Sequence, residues 1–94
     1  MHPLIETHRA GLLAIAQRYG LTDLRVFGSM ARGDAGLESD VDLLVALPPG
    51  VTGLALGGLC ADAQQLLGRR VDVLTEQALH PALRSRVLEG AVAL

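Results

Sequence analysis

A turn of small residues, followed at short range by a doubly charged strand, constrains this chain more than any other feature. Leu24 to Phe27 reads as a short strand that ends at Gly28-Ser29. Met30 to Arg32 reads as the start of a short helix closed by Gly33. Ten residues separate Ser29 from Asp40-Val41-Asp42. A polar loop over 34–39 leads into that pair. A second strand then runs from Val41 to Leu47, and Pro48-Pro49 ends it.

The flanks fit a small α/β unit. Leu4, His8, Leu12, Ile15 and Tyr19 recur at spacings of three and four, which predicts an amphipathic helix from Pro3 to about Tyr19. Pro3 suits its first turn and Gly20 its stop. Thr52 predicts the N-cap of a helix running to Leu67, with Gly68 after it. Gly57-Gly58 weakens that helix, since each interior glycine costs roughly 1 kcal/mol relative to alanine. Arg70 to Leu74 reads as a third strand, Pro81 to Glu89 as a last helix, and Ala91 to Leu94 as an edge strand. There is no internal repeat and no low-complexity segment.

Ninety-four residues suit one domain, 1–94. A chain of this size buries only about 60–65% of its unfolded surface, so a partner chain is expected to cover some apolar area. Phe27 and Tyr19 are the only aromatic residues, and the core is therefore aliphatic. The net charge is −2 and no basic run stands out, which gives no support for direct nucleic-acid binding. Cys60 is the only cysteine, so no intrachain disulfide can form. Leu43 to Ala61 carries no charge, yet its prolines and glycines break any membrane span. With no signal-peptide pattern, the expected location is the cytoplasm.

Strand parity brings the acidic residues together. Asp40 and Asp42 share one face of their strand, and Val41, Leu43 and Val45 the other. Val71 and Val73 likewise oppose Asp72. If the valines pack under helices, all three aspartates face away from them. Asp40 and Asp42 lie about 6.5–7 Å apart along the strand, so their carboxylates can converge on a cation. Mg²⁺ takes one or two protein carboxylates and completes its shell with phosphate oxygens and water. Asp72 is then a third ligand or the base that receives a hydroxyl proton. Gly28 permits close approach of the backbone to phosphate, and Ser29 can donate to it. Together these features imply a metal-bound nucleoside triphosphate.

Each residue also has a plainer role. Asp-x-Asp alone is a solvated strand face. Gly-Ser alone is a capped turn. Arg32 reaches a phosphate, or else pairs on the surface with Asp34. Ser39 orients Asp40 or simply starts the strand. His8 belongs to the apolar helix face, Cys60 packs in a helix, and Arg69-Arg70 reads as a solvated strand start. His2 and His80 have no ligand-spaced companions.

The combination of Gly28-Ser29, Met30-Ala31-Arg32-Gly33, Asp40-x-Asp42 and the later strand Arg70-Val71-Asp72-Val73-Leu74 resembles the minimal nucleotidyltransferases of the DNA polymerase β superfamily. The resemblance implies an α/β fold with a small mixed β-sheet and helices packed on one face. It implies a nucleoside triphosphate such as ATP as substrate, with Gly28 and Ser29 at the phosphates and Arg32, by the reading above, a further candidate there. Asp40, Asp42 and Asp72 become the catalytic, metal-binding carboxylates for Mg²⁺, in a pair of ions. Stand-alone members of this size look like antitoxins that transfer AMP to a tyrosine of a HEPN-domain toxin. Two alternatives remain: an antitoxin that acts by stoichiometric binding, and a nucleotidyltransferase for a small molecule or RNA.

Overall fold

A computed structural model describes residues 1–94. The elements in chain order are α1 (Pro3–Arg18), β1 (Thr22–Phe27), α2 (Ser29–Arg32), β2 (Val41–Ala46), α3 (Leu54–Leu67), β3 (Val71–Thr75), a 3-10 turn (Glu76–Ala78), α4 (Pro81–Gly90) and β4 (Val92–Ala93). The strands form one sheet in the order β3-β2-β1-β4. β2 and β3 are parallel, while β1 runs antiparallel to both β2 and β4. This is the expected small mixed sheet.

Helix α3 is the crossover that parallel β2 and β3 require. It packs with α1 over one sheet face. Leu24 and Val26 of β1, Val41, Leu43 and Val45 of β2, and Val71 of β3 are buried there. Ile5, Leu12, Ile15 and Ala16 of α1 meet them, with Ala55, Leu59, Ala63 and Leu67 of α3. The core is aliphatic, as the composition requires. No helix is long and apolar enough to cross a membrane.

Several local expectations need correction. Tyr19 caps α1 rather than extending it, and Ile5 takes the fully buried place that the periodicity gives to Leu4. Gly53, not Thr52, occupies the N-cap of α3, and no side chain caps that end. β1 starts earlier, at Thr22, and β3 is shifted by one residue to Val71–Thr75. Gly90 completes α4 instead of stopping it, and the final strand shrinks to Val92–Ala93.

His2 and His80 turn out to be matching helix caps. Nδ1 of His2 accepts from the Leu4 N–H at 3.1 Å, and Nδ1 of His80 accepts from the Ala82 N–H at 3.1 Å. Each precedes a proline that suits a first helical turn. None of the residues of α4 is fully buried. With Phe27, Gly28 and Arg32, this helix bounds an open cleft of about 530 Å³.

Candidate active site

The site forms where β1 ends against β2. Phe27 is the register partner of Asp42, which puts the next residue, Gly28, beside that carboxylate. Gly28 has φ 72° and ψ −150°. This region is open essentially to glycine alone. A Cβ at Gly28 would stand 2.6 Å from Oδ2 of Asp42. The turn is thus moulded on the carboxylate as well as being free to approach a ligand. Buried Met30 anchors it from below, and its carbonyl accepts from the His2 N–H at 2.8 Å. Gly33, at φ 82°, closes α2 as expected.

Asp42 and Asp72 follow strand parity, whereas Asp40, expected on the same strand face, falls outside β2. Asp42 and Asp72 are register partners in the parallel β2–β3 pair, with Val41, Val45 and Val71 buried on the opposite face. Asp40 lies just before β2. Asp40 and Asp72 are exposed, and Asp42 is half-buried. None of the three forms an ion pair. Burial pushes the Asp42 carboxyl above the usual carboxylate range, and the negative charges of Asp72 and then Asp40 push it further. Both neighbouring charges thus reach Asp42.

The side chains do not already stand as a closed metal cage: no group of three Asp, Glu, His or Cys is drawn together at coordinating distance. Like charges have no reason to close up without a cation between them. The donor set itself fits a hard divalent ion, being carboxylate oxygens with no competing base among them. Asp40 and Asp72 are the exposed side chains of the set, and of the two only Asp72 stands in the β2–β3 register.

The plainer roles hold for several other residues. Arg32 Nε donates to Asp34 Oδ2 at 3.1 Å, with the side chains 63% and 61% exposed. So exposed a pair holds the guanidinium only weakly. Ser39 Oγ accepts from the Gly36 N–H at 2.8 Å, closing the loop rather than touching Asp40. His8 Nδ1 bonds the Leu4 carbonyl at 2.8 Å on its own helix. Cys60 Sγ donates to the Val71 carbonyl at 3.1 Å.

Two features escaped sequence reasoning. Arg69 Nη1 donates to the carbonyls of Gly36 at 3.2 Å and Ser39 at 3.3 Å. It reaches the loop that leads into Asp40 and is not simply solvated. The cleft beside Gly28 is lined by Leu83, Arg86, Val87 and Glu89 of α4 together with Phe27. No local pattern links a helix near the end of the chain to a turn at its centre.

A family model described as a nucleotidyltransferase domain matches residues 9–94. The chain belongs to this nucleotidyltransferase family. A solved structure described provisionally as a minimal nucleotidyltransferase is 43% identical, with a TM-score of 0.86, covering 100% of this chain and 97% of that one. The protein adenylyltransferase MntA of Thermococcus cleftensis is 35% identical over 83% of this chain and 79% of its own length. A toxin–antitoxin complex solved with AMP-PNP shares the fold at 19% identity, with a TM-score of 0.76 over 89% of this chain and 69% of that one. The resemblance read from the motif is borne out, as are the polymerase β-like fold and a nucleotidyltransferase activity.

Proposed function

We propose that this nucleotidyltransferase transfers AMP from ATP to a tyrosine hydroxyl on a HEPN-domain toxin, and so acts as an antitoxin. One observation carries the reading: the register partners Asp42 and Asp72 lie beside a glycine turn shaped around Asp42. Similarity to a protein adenylyltransferase supports a protein acceptor, and the fold shared with a toxin–antitoxin complex supports the partner class.

In this reading Asp40, Asp42 and Asp72 hold Mg²⁺. The metal supplies charge neutralisation at the triphosphate and a more acidic acceptor hydroxyl. Gly28 leaves room for the phosphates, and Ser29 donates its hydroxyl to the β- and γ-phosphates. Arg32 exchanges its weak pairing with Asp34 for a phosphate, where charge-assisted hydrogen bonds are stronger. Arg86, which makes no ion pair, adds a second cation on the far side of the cleft. The acceptor oxygen forms a bond to the α-phosphorus, the bond to the bridging oxygen breaks, and pyrophosphate leaves. The tyrosine proton passes to a carboxylate, in this reading that of the exposed Asp72.

The test uses ATP labelled at the α-phosphate, Mg²⁺, the purified chain and the toxin candidate encoded beside it. Label on a partner tyrosine with wild type, and none with Asp42→Asn, is the expected result. Transfer that persists in Asp42→Asn would remove the carboxylate chemistry. A stable complex that neutralises the toxin without any label would favour the stoichiometric reading.

A further inference from the structure

Arg69 and Arg70 join the two strands that carry the carboxylates. The Arg70 carbonyl accepts from the Val41 N–H at 2.9 Å, which begins the β2–β3 ladder. Arg69 reaches one step further back. Its Nη1 bridges the Gly36 and Ser39 carbonyls, 3.2 and 3.3 Å away. The same two residues close on each other, the Ser39 N–H donating to the Gly36 carbonyl at 3.3 Å and the Gly36 N–H to Ser39 Oγ at 2.8 Å. Arg69 therefore clamps a small turn whose last residue precedes Asp40. Its own backbone leads directly into the strand of Asp72.

Asp40 needs such help. It lies outside β2 and is exposed, and its side chain has no ion-pair partner. We infer that Arg69 is a positioning residue, whose guanidinium fixes Asp40 relative to Asp72 so that both can serve one divalent cation. The inference rests on the carboxylate reading above. The clamp lowers the cost of drawing three repelling carboxylates together, because the backbone of one is already held. Groups that orient metal ligands from behind commonly change affinity by about 10- to 100-fold when removed.

Electrostatics predicts the opposite sign, which makes the idea testable. Arg69 is a cation near a cation site. Deleting its charge alone should tighten metal binding, whereas losing a clamp should weaken it. Arg70→Ala removes an equal charge from the next residue, and the Arg70 side chain makes no hydrogen bond in this structure. Mn²⁺ alone is titrated into wild type, Arg69→Ala, Arg69→Lys and Arg70→Ala, with free Mn²⁺ read by electron paramagnetic resonance. Hydrogen exchange is followed over residues 36–41.

Arg69→Ala is expected to weaken Mn²⁺ binding about tenfold, at the low end of that range, and to speed exchange in the turn. Arg69→Lys, which can still donate to both carbonyls, should recover most of the affinity. Arg70→Ala should bind as well as wild type or better. Unchanged or tighter binding in Arg69→Ala overturns the inference, as does an equal loss in Arg70→Ala. Wild type that binds no Mn²⁺ overturns the carboxylate reading and the clamp with it.

Discussion

Gly28 answers to two demands at once. Its backbone, at φ 72° and ψ −150°, lies where a side chain costs about 1–3 kcal/mol. Its missing Cβ leaves the place that Asp42 Oδ2 occupies, 2.6 Å away. Gly28→Ala should therefore do more than lower the melting temperature. It should displace the carboxylate, and a shift of about 1 Å at a reacting centre can cost around 100-fold. Single-turnover AMP transfer measured beside thermal melting separates the two effects. Transfer within a few-fold of wild type in a folded variant would show that the contact is incidental. The nearness of Gly28 to Asp42 and the pairing of Asp42 with Asp72 were legible in the sequence because a short spacing and strand parity act locally. Arg69 was not, since its partner Gly36 lies 33 positions away and a paired arginine reads like a solvated one.

The elements show the same division. Hydrophobic period and punctuation located all of the main helices and strands. What they misjudged were ends and exceptions, where tertiary contacts outweigh local preference. The adjacent glycines of α3 are the clearest case. Sequence logic charges both with weakening the helix, but they are not equivalent. A Cβ at Gly57 would meet nothing within 4 Å. A Cβ at Gly58 would run into the Tyr19 ring, 2.6 Å from Cζ. Tyr19 cannot easily move aside, since its hydroxyl donates to Asp62 Oδ2 at 2.7 Å. That bond, from phenol to carboxylate, is also the main reason the Tyr19 pKa is raised. Gly57→Ala should stabilise the protein by about 0.5–1 kcal/mol through helix propensity. Gly58→Ala should destabilise it by about 1–3 kcal/mol through overpacking. Urea unfolding of the two variants is the measurement, and equal effects would refute the contact. The glycine that looks like a flaw in the sequence is the one that lets α1 and α3 close.

At the scale of the whole molecule, the open sheet face links stability to pH and to cations. The Asp42 carboxyl is held above its ordinary range by burial and by Asp72 and Asp40. A raised carboxyl favours the protonated form in the folded state. Its contribution to stability is present below the ordinary carboxylate range and is lost as pH rises through the raised folded value. Above that raised value the free protein therefore folds around a charge it would rather not carry. Asp42→Asn relieves this while removing a proposed metal ligand. It should raise the melting temperature by about 2–4 °C, a modest shift because Asp42 is only half-buried and solvent screens its neighbours. Mg²⁺ should stabilise wild type at neutral pH, and that gain should shrink as pH falls through the Asp42 value, because protons compete for the same oxygens. The Asn variant should answer Mg²⁺ weakly at every pH. Melting curves over a pH series, with and without Mg²⁺, decide the matter. An Asn variant less stable than wild type, or a Mg²⁺ effect indifferent to pH, would mean that Asp42 is not the strained member of the site. If the predicted pattern holds, the repulsion that costs the free fold stability is the same interaction that a bound cation reverses, and the strain is a direct measure of how ready the site is to bind.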